Sequence, residues 1–219
     1  MIAVVDYHKG NLKSVARGLA AAGGDAVVTD DASVIARADA VVLPGVGAFA
    51  DASASMRALG QADVVRARIA AGVPFLGICL GQHLMFEEGV EGASEADDEA
   101  SSNNAPGLAV LPGVVAKMPS VDASGRLHKV PHVGWNTVEV TDPACPLLKG
   151  VSSGTYFYFT HSYVAPSGPF VAAETTHSVP FPSVVQYGQA AFGVQFHPEK
   201  SSDAGAALLR NFVDIVKGA

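Results

Sequence analysis

Two short stretches, far apart in the chain, carry residues that could do covalent chemistry together. Near the end lies Gly193-Val194-Gln195-Phe196-His197-Pro198-Glu199-Lys200-Ser201, and far upstream lies Gly77-Ile78-Cys79-Leu80-Gly81. The first supplies a histidine and a carboxylate two residues apart. The second supplies a cysteine in a Gly-x-Cys-x-Gly setting. Thiolate, base and a group that orients the base are the three roles of nucleophilic acyl transfer. Taken singly, each half has a plain structural reading: a buried cysteine between glycines, and a surface His-Pro-Glu turn. Together they favour the chemical reading.

The residues around Cys79 read as a strand over 73–78 and a helix over 80–88. Cys79 then occupies a sharp strand-to-helix turn, the cysteine counterpart of the Gly-x-Ser-x-Gly elbow. Such a turn holds its nucleophile in a strained conformation and leaves no room for side chains at positions 77 and 81. A helix N-terminus would favour the thiolate, and the Leu80 amide could donate to an oxyanion. Residues 191–196 read as a strand, and Pro198 pushes His197 into an extended conformation. In an extended chain, positions 197 and 199 face one way, so Glu199 can fix the tautomer of His197. Cys145, in a turn between Pro143 and Pro146, lacks such a setting and is expected to be inert. His128 and His132 are four apart, but Pro131 disfavours the helix that would align them as ligands. No metal site and no cofactor are expected.

These residues need a frame. Over the first 90 positions, apolar runs at 2–5, 26–29, 40–43 and 75–78 alternate with helix-like segments at 12–22 and 53–71. Met56, Leu59, Val64 and Ile69 are the expected inward positions of the second segment. The pattern is a βαβ series and implies a doubly wound α/β sheet. The later half reads as shorter strands at 114–118, 137–140, 155–164, 170–174, 183–186 and 191–196. A last helix follows, capped by Ser201 or Ser202, with Leu208, Phe212, Ile215 and Val216 on one face. Between the halves, residues 89–107 are crowded with Glu91, Glu95, Asp97, Asp98 and Glu99 and read as a solvated loop.

With 219 residues, 49% hydrophobic and 16% charged, the chain reads as one domain over 1–219 with a substantial core. A net charge of -7 argues against a nucleic-acid partner. Two cysteines imply no disulfide framework, so a reducing, cytoplasmic setting fits. Neither a basic leader nor an apolar run long enough for a membrane span is apparent.

The motifs are similar, over essentially the whole length, to class I (triad) glutamine amidotransferases. Within them the chain resembles the glutaminase subunits of imidazole glycerol phosphate synthases. The resemblance runs through Asp6-Tyr7, Gly10-Asn11-Leu12, Leu43-Pro44-Gly45-Val46-Gly47-Ala48-Phe49 and the Cys79 motif. It continues through Lys129-Val130-Pro131-His132-Val133-Gly134-Trp135-Asn136, Tyr158-Phe159-Thr160-His161-Ser162-Tyr163 and the His197 motif. It implies hydrolysis of glutamine by Cys79, His197 and Glu199 through a thioester. Backbone amides near Val46 and Gly47 would join Leu80 at the oxyanion. Ser162 and Tyr163 would hold the α-amino and α-carboxylate groups of glutamine. The implied partner is a (β/α)8-barrel cyclase in a heterodimer. It would use the ammonia to make imidazole glycerol phosphate and an aminoimidazole carboxamide ribotide in histidine biosynthesis. Asn11, Trp135, Asn136 and Lys200 would lie toward it. The alternatives are the glutaminase subunit of anthranilate or aminodeoxychorismate synthase, and a catalytically degenerate regulatory subunit. Two departures stand out. Where the family usually has Met-Gln after Cys-Leu-Gly, this chain has Gln82-His83, so His83 takes the place of a substrate-contacting glutamine. His8-Lys9 replaces smaller or apolar residues near the expected partner surface.

Overall fold

Alternating apolar runs and Ala- and Leu-rich segments build the first part of the molecule as a wound sheet. The computed structural model describes residues 1–93 and 103–218. Strand β1 (Ile2–Val5) leads through helix α1 (Leu12–Ala21) to β2 (Ala26–Thr29), α2 (Ala32–Arg37) and β3 (Ala40–Gly45). Then come α3 (Phe49–Ala58), α4 (Gln61–Ala70), β4 (Phe75–Cys79), a single helical turn α5 (Leu80–His83), β5 (Phe86–Gly89) and β6 (Ala105–Pro106). The later strands are β7 (Leu111–Lys117), β8 (His132–Val140), β9 (Thr155–His161), β10 (Tyr163–Val164), β11 (Val171–Thr176), β12 (Pro180–Tyr187) and β13 (Ala191–Val194). Helix α6 (Ser202–Lys217) closes the described chain.

Nine strands form the main sheet in the order β2-β1-β3-β4-β13-β12-β11-β8-β9, and a smaller sheet runs β10-β7-β5-β6. Neighbours from β2 across to β13 are parallel. Those from β13 across to β9 are antiparallel. One face of the parallel half is covered by α1 and α6, where Leu19, Leu208 and Phe212 meet Val4, Val42 and Leu76. Ile35, Met56, Val65 and Ile69 cover the other, against Val5, Val41 and Phe75. Burial on both faces is why these strands read as unbroken apolar runs. Strand β2 is the exception: it lies at the edge, and Val27 and Val28 are exposed.

Several expectations need correction. The helix expected over 53–71 is two helices, broken where Gly60 adopts φ +67°, and the fully buried Val65 joins the partly buried Val64 against the core. Helix α2 was not expected; Asp31 caps it by accepting the Ser33 N–H at 2.7 Å. The helix expected over 80–88 is one turn, after which the chain pairs as β5. The strand expected over 155–164 divides at Ser162. Ser201 occupies the N-cap of α6, but its hydroxyl donates to the His197 carbonyl at 2.6 Å instead of capping. Of the acidic 89–107 segment, Glu95, Asp97, Asp98 and Glu99 lie outside the described residues, while its ends contribute to β5 and β6.

This sheet order positions chemistry. Adjacent parallel strands β3, β4 and β13 end side by side, with Gly45 opposite Cys79 and Val194 opposite Ile78. The residues just beyond those ends are Val46–Gly47, Leu80 and Gln195–His197. Carboxyl ends of neighbouring parallel strands are where open α/β sheets place ligands.

Candidate active site

Cys79 terminates β4 in a conformation that only a constrained turn sustains, φ 54° and ψ -107°. The positions two residues to either side of it must be glycines. A Cβ on Gly81 would overlap the Leu43 carbonyl, and one on Gly77 would strike the Gly81 backbone. A Cβ on Gly45 would strike the Tyr7 hydroxyl and Leu80. Strand β3 therefore presses closely on the turn, and Cys79 is held with only 6% of its surface exposed. Because α5 is one turn long, an extended helix dipole does not act on the thiol, contrary to the expectation from sequence.

His197 comes to Cys79 because β13 is the parallel neighbour of β4. Its backbone is fixed at both ends: its N–H donates to the Tyr158 carbonyl at 2.9 Å, and its carbonyl accepts from Ser201. His197 is extended (φ -100°, ψ 97°), and a short 3-10 turn follows at Pro198–Lys200. That turn, rather than strand alternation, carries Glu199 back to it. The His197 Nδ1 and Glu199 Oε1 atoms lie 2.9 Å apart, with side chains 3% and 2% exposed. Nδ1–H donating to the carboxylate leaves Nε2 with the lone pair. Nε2 is buried and makes no hydrogen bond among the described residues, with the Cys79 thiol close enough to act on the ring's charge. Burial opposes a charge on this ring, but Cys79 and Glu199 together outweigh it and lift the histidine to about 9.

A cavity of about 390 Å³ opens beside the sulfur. Val46, Gly47, Leu80, His83, Ser162 and Tyr163, all expected from sequence, line it together with Cys79. Thr160 and His161 also line it, and the Thr160 carbonyl lies 3.9 Å from Cys79 Sγ. Gly47 adopts φ +100°, a conformation suited to glycine, as the chain turns along the rim. His83 is buried, and its Nε2 meets Gln195 Oε1 at 2.7 Å. Burial holds this imidazole down at about 4, although the bond to Gln195 opposes that. Gln82 faces elsewhere, donating to the Pro182 carbonyl at 3.3 Å.

Three contributors had no signal strong enough to find them. Gln195 is fully buried, and its Nε2 lies 3.9 Å from Cys79 Sγ. Tyr7 is buried under Gly45, and burial, then the neighbouring Cys79, push its phenol well above the usual range. His161 accepts from His132 Nδ1 at 2.9 Å and donates from Nδ1 to the Tyr163 carbonyl at 2.9 Å. Burial holds both rings low, His161 at about 3 and His132 at about 4, so this pair is a neutral strut under the Ser162-Tyr163 corner. Among the described residues no group of three or more His, Cys, Asp or Glu side chains is arranged to hold a metal. Cys145 is buried away from the cavity, and burial pushes its thiol up.

The residues expected to meet a partner separate into two kinds. Trp135 is 51% exposed on the outer face of β8, edge-on to Tyr158, with Lys200 Nζ 5.9 Å from that tyrosine's ring centre. Asn11 is exposed at the start of α1, which packs against the Pro198–Lys200 turn. Asn136 instead turns inward: its Nδ2 donates to the Thr176 carbonyl at 3.0 Å and meets His132 Nε2 at 3.2 Å. Lys9 is tied to Asp51 at 2.9 Å, and His8 lies 3.5 Å from Asp30.

A buried Cys-His-Glu array at the carboxyl ends of adjacent parallel strands, beside a cavity, agrees with the family match. The glutamine amidotransferase class-I family matches residues 3–216, and the chain belongs to it. Full-length relatives include proteins named imidazole glycerol phosphate synthase subunit HisH. That of Moorella thermoacetica is 43% identical over 100% of this chain and 96% of its own. That of Caldanaerobacter subterraneus subsp. tengcongensis is 39% identical over 99% of each. Among solved structures, a glutamine amidotransferase superposes with a TM-score of 0.71 at 21% identity, covering 100% of this chain and 99% of its own. The glutaminase domain of Trypanosoma brucei CTPS gives 0.68 at 15%, covering 99% of this chain and 93% of its own. Both share the fold. No helix among the described residues is long and apolar enough to cross a membrane.

Proposed function

We propose that this chain is the glutaminase subunit of an imidazole glycerol phosphate synthase, working as one domain in the reducing cytoplasm. The observation that carries the proposal is the buried His197–Glu199 pair at 2.9 Å, brought beside the cavity-lining Cys79 by the parallel pairing of β13 with β4. Cys79 as thiolate attacks the side-chain amide carbon of glutamine. The oxyanion that forms is met by the Leu80 amide and by amides near Val46 and Gly47, which border the same cavity. His197, protonated while paired with Glu199, gives its proton to the departing nitrogen, and ammonia leaves. The γ-glutamyl thioester remains. A water molecule, deprotonated by His197, attacks it and releases glutamate and the thiol. Ser162 and Tyr163 hold the amino-acid end of the substrate.

The full-length relatives are named as subunits of a synthase, which supports a partner that consumes the ammonia. The partner is a (β/α)8-barrel cyclase, docked so that ammonia passes without meeting bulk water, where it would be protonated and lost. Asn11, Trp135 and Lys200 face it, and Asn136 braces the strand behind them. The test is glutamate release by the purified chain, alone and with the cyclase and its nucleotide ligand. Cys79→Ala abolishes release while the complex still forms. Full release by that variant removes Cys79 from its role, and equal rates with and without the cyclase remove the coupling.

A further inference from the structure

The departure at positions 82 and 83 has a structural consequence. Cys79 and His83 are four residues apart across the single turn of α5, so they project to one side. Gln195 and His197 are two apart beyond the end of β13 and share a side, while Phe196 between them stacks on Phe157 in the core. The Gln195 backbone is pinned by its N–H to the Ser183 carbonyl at 2.9 Å. Gln195 thus reaches the Cys79 sulfur, with His83 bonded behind it and His197 on the same segment.

The hydrogen-bond polarity follows from the contacts. The buried His83 ring is neutral and carries one proton, because burial holds it near 4. Its Nε2 meets the Gln195 amide oxygen at 2.7 Å, which accepts only if that proton is on Nε2. With the oxygen occupied, the Gln195 amide nitrogen is left on the sulfur side, 3.9 Å from Cys79 Sγ. The reversed amide would set a second carbonyl oxygen beside the sulfur, where the Thr160 carbonyl already lies at 3.9 Å. Tyr7, Glu91, His161 and Tyr163 also face this space, and neither Tyr7 nor His161 hydrogen-bonds the Gln195 amide among the described residues.

We infer that His83 is a positioning residue whose ring N–H locks Gln195, so that the Gln195 amide donates to the Cys79 sulfur beside His197. His83 therefore replaces a direct hold on substrate with control of the nucleophile. The inference rests on Cys79 being the nucleophile, as proposed above, and deepens that reading.

The experiment is the pH dependence of Cys79 alkylation by iodoacetamide in the full chain, located by mass spectrometry. Gln195→Met fills the same space without an N–H. Its half-maximal pH rises by about one unit, which is roughly tenfold less thiolate at neutral pH. His83→Leu moves it the same way by less, and His83→Gln, which keeps a donor, restores it. A folded Gln195→Met chain with the wild-type profile overturns the inference. Should the variants not fold, nitrogen NMR of the histidine-labelled wild-type chain decides: a neutral Nε2–H tautomer for His83 supports it, and an Nδ1–H tautomer overturns it. Cys79→Ala separates this idea from its foundation. Loss of glutamate release in that variant with an unmoved Gln195→Met profile sinks only the role of Gln195. Release surviving Cys79→Ala sinks the proposed function.

Discussion

At the scale of single residues, the site is governed by what burial does to charge. His197 is nearly inaccessible, and an isolated imidazolium there would be disfavoured. Its two partners reverse that and raise it from 6.5 to about 9. A histidine raised in this way stabilises the folded chain fully below about 6.5, and that contribution is lost as pH rises through about 9. In the mechanism proposed above, the same proton is the one delivered to the leaving nitrogen. The glutaminase kcat/KM therefore falls on an alkaline limb near pH 9, reported by glutamate release. Glu199→Gln removes one of the two raising partners, so the limb moves to lower pH. The rate drops by roughly 10²–10⁴-fold, because the imidazole also loses the group that fixes its tautomer. A limb that stays in place in that variant means Glu199 does not hold the proton on His197. His83, by contrast, is neutral throughout this range, since burial holds it near 4.

At the scale of elements, the turn after β4 is specified by close approach. Gly81→Ala would drive a methyl group into the Leu43 carbonyl of β3, which cannot yield without moving a central strand. We expect a loss of about 2–3 kcal/mol or more and a Tm lowered by about 5–10 °C, read by circular dichroism. Gly60→Ala, at φ +67° with open space around it, is the contrast. It meets only backbone strain, about 1 kcal/mol. Equal effects of the two would show that the crowding at Gly81 is relieved elsewhere. The same turn shows where sequence reading stops. Strands β1, β3 and β4 were legible because burial on both faces writes continuous apolar runs. Residues 80–88 carry a helical composition, yet the carbonyls of Leu84, Met85, Phe86 and Glu87 accept from N–H groups of residues 107–111. Tertiary pairing thus replaces the helix's own bonds. Ser201 looked like a cap, but its hydroxyl is taken by His197 and Tyr158. The Cys79 and His197-x-Glu199 positions were legible because each lies within one short motif. Gln195 was in view but without a role, and Tyr7 and Thr160 were equally silent. Their proximity to the sulfur is created by the order of β1, β3, β4, β13 and the return of β9, which no local spacing encodes.

At the scale of the whole molecule, the two ends of the nine-stranded sheet differ in a way that bears on assembly. At the β9 end, Val133, Trp135 and Tyr156 are 57%, 51% and 59% exposed. Pairing of Trp135 with Tyr158 and of Thr137 with Tyr156 puts their side chains on one outer face. A contiguous apolar and aromatic surface of this kind is suited to docking, and a large aromatic there is the sort of residue that dominates binding energy. Behind it, Asn136 faces inward and binds His132, which bonds His161 beneath the Ser162-Tyr163 corner of the cavity. This exposed aromatic face and the Ser162-Tyr163 corner of the cavity are therefore two sides of one short, neutral, hydrogen-bonded stack. At the β2 end, Val27 and Val28 are also exposed, but neither lines the cavity. Trp135→Ala should weaken the cyclase complex by about 2 kcal/mol or more, roughly a thirtyfold rise in Kd by titration calorimetry. The Tm of the isolated chain stays put, since an exposed ring supports little of the core. Val28→Ala, at the far edge, leaves Kd unchanged. The opposite pattern, with Val28→Ala weakening the complex and Trp135→Ala silent, would move the partner to the other end of the sheet and disconnect docking from the imidazole stack.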